Sequence, residues 1–248
     1  MQHKISTFAG TLVLGMSMAG ASAAELACDT ADENTVLLFN FGKGEVTTDK
    51  VTDLSGNGNN GTLLNAAATW EAGRKGEADQ AVAFDTTAWT YLGVPKSESL
   101  SSPKGGLTIE LWLKLKKARP AANGSGYLLL WKSPNGQDGY GLLLTKSGDQ
   151  ESLQFTVGNG QNQAGVSMAS AIPLLGVDQW HHLAAVWDNG KLQLLVDGKL
   201  IAEDSDHYGR PEIGYKEMPQ ELIIGTRTGA VLDEIRISKI ARKYAPKP

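Results

Sequence analysis

Cysteine is almost absent from this chain, because Cys28 is the single one among 248 residues. An internal disulfide is therefore excluded, and a hydrophobic core has to hold the fold together. Basic residues are not in excess either, since 23 Lys and Arg stand against 27 Asp and Glu, for a net charge of −4. This mild acidity leaves no electrostatic footprint for nucleic acid or an anionic membrane surface, so neither is expected as a partner.

Long hydrophobic runs are also missing, which predicts no membrane insertion. The apolar run at residues 8–18 follows a basic Lys4 and leads to the small-x-small pattern Ala21-Ser22-Ala23. That arrangement is typical of a cleaved signal peptide over residues 1–23. We therefore expect residues 24–248 to form a single domain of a protein exported to the periplasm or the extracellular space.

A lipid-anchored N-terminus at Cys28 is the competing interpretation of the leader. The residues before it, 25–27, read Glu-Leu-Ala. They place a charge where a lipoprotein signal has an aliphatic residue, so the sequence disfavours a lipid anchor.

Short strands closed by Gly-containing turns are present instead of long helical patterns. Asn189-Gly190 and Asp197-Gly198 each separate two β-like runs, and both dipeptides favour the type I′ turn of a tight hairpin. Only residues 65–73 and 238–244 have the composition for a helical turn. The pattern predicts an all-β protein, either a β-sandwich or a jelly roll.

The longest predicted strand, LTIELWLKLKK at residues 107–117, alternates cleanly. Five aliphatic residues share one face of it, and Glu110 and Trp112 share the other with Thr108, Lys114 and Lys116. We expect the first face to enter a core and the second to be partly exposed.

The order of the segments resembles that of a known family, the bacterial laminin-G-like domains of the concanavalin A-like lectin and glucanase superfamily. The resemblance spans residues 35–243 and rests on DLSGNGNNGTL, AVAFD, YLGV, LTIELWLK, WHHLAAVWDNGKLQLLVDGKLIA and IIGT with GAVLDEIRISKIAR. It implies a two-sheet antiparallel β-sandwich of the concanavalin A-like jelly-roll type. It implies less about activity, because this fold supports lectins, accessory modules, adhesins and glycosidases.

The glycines of SGNGNNG match G-x-G-x-x-G at Gly56, Gly58 and Gly61. A dinucleotide site needs a strand before these glycines and a helix after them, within a βαβ unit. The residues that follow are short and β-like, so the sequence predicts no nucleotide cofactor. The alternatives are a tight turn that uses the conformational freedom of Gly and Asn, or a loop whose carbonyls hold a metal ion.

A structural Ca²⁺ ion is the metal that this resemblance suggests. Family members often hold one between the end of the first strand and the last strand. Carried over to this chain, the candidate ligands are Asp233 with Asn40 or a carbonyl near Gly42 and Gly44. Asp53 at the entry of the glycine loop is a further candidate. The alternative for Asp233 is that it only accepts hydrogen bonds from backbone amides.

Catalytic residues are hard to find in the sequence. His181 and His182 are adjacent on a strand, so they point to opposite faces and do not share a zinc ion. Glycoside hydrolysis needs two carboxylates about 5–10 Å apart, and no single predicted strand carries two on one face. We therefore predict no enzyme activity. Carboxylates from two separate strands are the arrangement that the sequence leaves open.

Aromatic and amide side chains are densest at residues 127–140. A sugar-binding surface stacks aromatic rings on sugar faces and uses amide and carboxylate groups for the hydroxyls. The candidate ligand-binding residues are Tyr127, Trp131, Asn135, Gln137, Asp138 and Tyr140. The leading hypothesis is a secreted, non-catalytic module that binds a glycan or another extracellular partner. The alternatives are a structural or adhesive module that binds a protein, and a glucanase-type glycoside hydrolase.

Overall fold

The computed structural model describes residues 28–65, 68–86, 89–101, 105–116, 127–133, 138–147, 150–159, 163–169, 175–204 and 221–244. The predicted signal peptide lies outside these ranges. The strands are β1 Thr35–Phe39, β2 Lys50–Val51, β3 Gly61–Leu64, β4 Thr69–Gly73, β5 Gly76–Ala83, β6 Tyr91–Val94, β7 Gly106–Leu115, β8 Tyr127–Lys132, β9 Asp138–Ser147, β10 Gln150–Asn159, β11 Gln163–Ala169, β12 Trp180–Asp188, β13 Lys191–Val196, β14 Lys199–Asp204, β15 Leu222–Thr226 and β16 Ala230–Ser238. One short helix, α1, spans Glu98–Ser101.

The strands form two antiparallel sheets of eight strands each. Sheet A has the order β14-β13-β12-β7-β16-β5-β4, and β1 also pairs with β16. Sheet B has the order β11-β10-β9-β8-β15-β6-β3-β2. Two packed antiparallel sheets form the predicted sandwich, so the expected all-β jelly-roll class is confirmed.

The two hairpins read from the sequence are present. Asn189 and Gly190 have φ angles of 45° and 98°, and Asp197 and Gly198 have φ angles of 51° and 75°. Positive φ at both central residues is the signature of a type I′ turn. The turns therefore fix the register of β12, β13 and β14 locally.

The main core lies between the sheets, and the alternation of β7 places its side chains there as expected. Its five aliphatic residues are at most 1% exposed and all belong to the main core: Leu107, Ile109, Leu111, Leu113 and Leu115. The opposite face of β7 differs from the prediction, because Glu110 and Trp112 are also buried, at 1% and 9% exposure.

Residues 28–34 and 239–244, which we call the end segments, cover this outer face of sheet A. Cys28 packs on Trp112 together with Trp180 and Tyr244. The Thr108 hydroxyl donates to the Ile240 carbonyl at 2.7 Å and accepts from the Arg242 amide at 2.9 Å. Residues 239–244 thus run along the sheet, and the helical turn predicted for residues 238–244 is wrong.

A β-bulge in β16 reverses which residues face the core. The register of β16 against β7 shifts between Asp233 and Arg236, and Glu234 has a φ of 45°. Leu232 precedes the bulge and Ile235 follows it, and both lie in the main core. Strict alternation would put Val231 and Ile235 on one face of β16, but the extra residue inverts the alternation and only Ile235 joins the main core.

The other predicted helical turn, at residues 65–73, is replaced by β4. Trp70 pairs with Val82 and Glu71 pairs with Ala81 in a hairpin with β5. Tertiary pairing overrides the helix propensity of the alanines here. Within the described ranges, no helix combines the length and the apolar character that crossing a membrane requires.

Candidate functional site

The glycine loop is organised around the carboxylate of Asp53. Oδ1 accepts hydrogen bonds from the amides of Leu38 at 3.0 Å and Ser55 at 2.9 Å. Oδ2 accepts from the Ser55 hydroxyl at 2.8 Å and the Asn59 amide at 2.9 Å. Amides that already donate to a buried carboxylate are not free to bind a phosphate, and the carboxylate would repel one.

The asparagines of the loop complete the free edge of β1. The side-chain amide of Asn59 donates to the Val36 carbonyl at 2.6 Å, and that of Asn57 donates to the Thr35 carbonyl at 3.0 Å. The Leu54 amide donates to the Leu38 carbonyl at 2.9 Å. The loop therefore works as an edge cap for β1, and Gly56 and Gly58, with φ angles of 83° and 73°, let it turn.

The candidate calcium ligands do not offer a set of free oxygens. Asp53 uses both oxygens as described above. Asp233 is fully buried and accepts from the Arg74 amide and the Glu234 amide, at 2.9 Å and 2.8 Å. Asn40 donates its side-chain amide to the Asp29 carbonyl at 2.7 Å, and no described residue donates to its Oδ1.

The predicted calcium site also included a backbone carbonyl near Gly42 and Gly44. The Gly42 carbonyl accepts a hydrogen bond from the Glu45 amide at 3.0 Å, and Gly44 lies in the same turn with a φ of 91°. Among the described residues, no group of three or more His, Cys, Asp and Glu side chains is placed to hold a metal ion. The oxygens of the candidate ligands are of the kind that Ca²⁺ prefers, but the carboxylates of Asp53 and Asp233 already accept hydrogen bonds from backbone amides, and calcium binding stays a prediction from family resemblance.

A buried charged cluster lies on the outer face of sheet A beneath the end segments. The Arg236 Nε donates to Glu110 at 2.7 Å, and Nη2 of the same guanidinium lies 2.7 Å from the same carboxylate oxygen. His182 Nε2 lies 3.5 Å from the other Glu110 oxygen, and Arg242 Nε lies 3.7 Å from Glu110. Burial by itself raises the pKa of Glu110, but His182 and the charge of Arg236 outweigh it and hold the pKa below its ordinary value.

The cluster also shows that the adjacent histidines diverge. His182 is fully buried beside Trp112 and Tyr244, at ring distances of 5.5 Å and 5.8 Å. His181 points the other way and bonds Asp197 through Nδ1 at 2.8 Å. The prediction that they do not share an ion is consistent with this geometry, and the cluster is structural because it is closed to solvent.

The predicted ligand-binding residues are divided between the core and the surface of sheet B. Tyr127 and Tyr140 belong to the main core at 1% and 2% exposure, and the Tyr140 hydroxyl donates to the Leu100 carbonyl at 3.0 Å. Their assignment to a ligand is therefore wrong. Asp138 begins β9 and is half-buried, whereas Asn135 and Gln137 lie outside the described residues.

Trp131 is the predicted residue that reaches the surface of sheet B. A register shift in β8 between Leu128 and Leu130 places Trp131 on the face opposite Tyr127. Its Nε1 donates to the Ser133 carbonyl at 2.7 Å. The indole covers Gly141, where an added Cβ would collide with its ring. Trp131 thus lies flat on the outer face of the sheet.

Trp131 belongs to a row of residues that crosses five strands. Thr62, Gly93, Ile223, Trp131 and Gly141 are successive cross-strand partners in β3, β6, β15, β8 and β9. The neighbours of Gly93 and Ile223 along their strands are fully buried core residues, so this row faces outward.

Tyr91 and Glu221 extend this surface over Gly93. The Tyr91 hydroxyl donates to Glu221 at 3.3 Å. A Cβ at Gly93 would lie 3.1 Å from Glu221 Oε2 and 3.2 Å from the Tyr91 ring. We call the half-exposed surface of Tyr91, Trp131, Glu221 and Ile223 the platform. It combines two aromatic rings, an aliphatic side chain and a carboxylate on one sheet face.

The alternation of YLGV is the sequence signal that indicates an outward-facing Tyr91. In YLGV, Leu92 and Val94 are fully buried, so alternation leaves Tyr91 and Gly93 on the outer face. Glu221 and Ile223 carried no comparable signal, because their contact with Tyr91 and Trp131 depends on the order of the strands in sheet B.

A comparison with family models gives one match, to Laminin_G_3 of the concanavalin A-like lectin/glucanases superfamily, over residues 86–245. No curated protein sequence matches the chain.

Solved structures with a similar fold include binding domains of toxins. The binding domain of Paraclostridial Mosquitocidal Protein 1 has a TM-score of 0.65 and 17% identity, and the match covers 85% of this chain and 50% of that one. A structure of botulinum neurotoxin type C, whose cell entry depends on interaction with two ganglioside molecules, has a TM-score of 0.63 and 13% identity, with coverage of 85% and 49%. The chain thus spans about half the length of these toxin domains.

A smaller domain matches over nearly its whole length. Domain 4 of an extracellular GH43 arabinanase from Geobacillus stearothermophilus, in complex with arabinotriose, has a TM-score of 0.57 and 15% identity. The match covers 84% of this chain and 93% of that domain. At these identities, the similarity to solved structures establishes the fold.

Proposed function

This chain belongs to the concanavalin A-like lectin/glucanase superfamily, and from that membership we propose that it is a non-catalytic carbohydrate-binding module. The observation that carries the proposal is the platform on sheet B. Aromatic rings present the flat apolar face on which a sugar ring stacks, and Glu221 accepts hydrogen bonds from hydroxyls. The arabinotriose bound to the arabinanase domain, which this chain matches nearly end to end, supports the same ligand class.

The carboxylates of the described residues support the non-catalytic part of the proposal. Glu221 is the one carboxylate of the platform, and hydrolysis by the usual route needs a pair. Glu71 and Asp85 line a common cavity elsewhere, but Glu71 is ion-paired with Lys116. Holding Lys116 is therefore the role that the structure shows for Glu71.

Stacking on Trp131 can be tested with one variant that removes the indole and another that displaces it. We expect Trp131→Ala to weaken binding of a neutral oligosaccharide about tenfold or more, because it removes the largest apolar surface of the platform. Gly141→Ala should weaken it similarly, because the new methyl group displaces the indole. Titration calorimetry with a neutral arabino- or gluco-oligosaccharide measures both.

Leu200→Ala is the matched control, because Leu200 is 45% exposed on β14, in the other sheet. Its affinity should equal that of the wild type. Equal binding by all four proteins would exclude the platform. Release of reducing ends that a Glu71→Gln variant abolishes would overturn the non-catalytic proposal.

Export without a lipid anchor remains part of the proposal, and the position of Cys28 supports it. Cys28 is fully buried and its Sγ donates to the Glu234 carbonyl at 2.7 Å. A thioether-linked lipid would have to leave this packed position beside Trp112.

The Cys28 thiol is accordingly expected to be inert in the folded protein. Burial raises the pKa of Cys28 well above its ordinary value, so little reactive thiolate forms. A thiol reagent such as dithionitrobenzoate should label the purified protein only after denaturant is added. Rapid stoichiometric labelling under native conditions would show that the segment carrying Cys28 is detached from sheet A.

A further inference from the structure

A cavity that we call the rim pocket lies at the edge of the sandwich, and its residues are separate from those of the platform. It has a volume of about 350 Å³ and forms where the ends of β4, β5 and β7 meet the turn before β16. Its lining consists of Thr69, Glu71, Phe84, Asp85, Thr86 and Lys116, with Ala83 and Gly229. None of these residues belongs to the platform. The cavity has a size typical of small-ligand sites, and both apolar and polar residues line it.

Some charged side chains at the rim pocket form ion pairs with each other, and one beside it does not. Glu71 and Lys116 pair with each other across it. Arg227 lies beside the pocket and donates from Nε to the Thr86 carbonyl at 3.5 Å. In the part of the chain that the structure describes, Arg227 has no carboxylate partner. Its guanidinium therefore offers N–H groups to a ligand at the mouth of the pocket.

An exposed tryptophan stands next to this arginine. Trp89 is 64% exposed, and the Arg227 guanidinium carbon lies 5.5 Å from the centre of its ring. The side chain of Asn65 donates to the Trp89 carbonyl at 3.0 Å and holds the backbone in place. The guanidinium carbon lies over the indole, and the N–H groups at the edge of the guanidinium can still donate hydrogen bonds.

We propose that the rim pocket is a second glycan site, which takes a terminal sugar residue carrying a carboxylate, such as a uronic acid. The planar edge of Arg227 matches the planar carboxylate of the sugar, and Trp89 stacks on the sugar ring. Hydroxyls of the same ring donate to Asp85 and Glu71 inside the pocket. The sugar carboxylate stays at the mouth, on the side of Arg227, away from these two acids.

The test separates this site from the platform by using a platform-disabled background. In Trp131→Ala protein, binding of an oligouronate trimer is measured by titration calorimetry against the same trimer with methyl-esterified carboxyl groups. The trimer should bind about tenfold or more tightly than its ester, because an ionised hydrogen-bonded pair is lost on esterification. Adding Arg227→Met should remove that difference, and adding Trp89→Ala should weaken both ligands.

The control is Lys199→Met, which removes an exposed cation on β14, at the opposite edge of sheet A from β4. It should leave the preference for the acid intact. Equal binding of trimer and ester, or a preference that survives Arg227→Met, would overturn the rim site. The effect of Trp131→Ala on neutral oligosaccharide binding tests the platform separately, so the failure of one site does not decide the other.

Discussion

Replacing Glu110 by alanine is expected to lower the free energy of unfolding by about 3–5 kcal/mol. Glu110 is 1% exposed, accepts a hydrogen bond of 2.7 Å from Arg236 Nε and forms an ion pair with the same guanidinium. Without the carboxylate, Arg236 stays buried beneath the end segments with its charge uncompensated, and its desolvation is no longer offset. Urea denaturation followed by tryptophan fluorescence measures the loss.

A double variant distinguishes the cost of an unpaired charge from the strength of the pair. Glu110→Leu with Arg236→Met should be less destabilised than Glu110→Ala, because no uncompensated guanidinium remains beside the leucine. Glu203→Gln is the control, since it breaks an exposed pair with Lys191 at 2.8 Å and should leave stability unchanged. A double variant as unstable as Glu110→Ala would contradict this account of the cluster.

Because of Glu110, we also expect the free energy of unfolding to depend on pH. The pKa of Glu110 in the folded protein lies below its ordinary value, so its contribution is fully present above the unfolded pKa of about 4.3. It is lost as the pH falls through the folded pKa. Wild type should therefore lose more stability than Glu110→Gln when the pH is lowered from 5 to 3. Parallel losses in the two proteins would exclude Glu110 as the titrating group.

The second large effect is expected at Asp53. Asp53→Ala removes the acceptor of three backbone amides and one hydroxyl, so we expect a loss of about 2–4 kcal/mol in the free energy of unfolding. Asp53→Asn keeps one acceptor oxygen and should fall between alanine and wild type. Asp49→Ala, in the same region but 56% exposed, should change stability by less than about 0.5 kcal/mol.

Repeating these measurements with Ca²⁺ and with a chelator tests the role of the loop. Because amides are the partners of Asp53, the loss in Asp53→Ala should be the same in both conditions. A loss that occurs only in the presence of Ca²⁺ would establish that an ion, and not the amides, holds Asp53. The same experiment on Asp233→Ala examines the other candidate ligand.

Features that depend on a few neighbouring residues could be predicted from the sequence. The type I′ turns at Asn189-Gly190 and Asp197-Gly198 follow from residues that accept positive φ. The inner face of β7 follows from its alternation. Both signals are local, because the period of a strand and the geometry of a two-residue turn do not depend on the rest of the chain.

The candidate site was only partly predictable, because register shifts move side chains between faces. Strict alternation from Tyr127 places Trp131 on the same face, but the shift between Leu128 and Leu130 sends Tyr127 to the core and Trp131 to the surface. Cross-strand partners such as Glu221 and Tyr91 come from distant parts of the chain. No local pattern indicates which strands become neighbours in sheet B.

The sequence by itself determined an all-β sandwich with tight hairpins, a core without disulfides and a glycine loop that is not in a βαβ context. The tertiary structure decided what each polar group does. It turned Asp53 into the anchor of an edge cap, Glu110 into the centre of a buried cluster and Trp131 into part of a platform. The physical reason is that burial and hydrogen-bond partners are set by chain segments far apart in sequence, which only the packed sheets bring together.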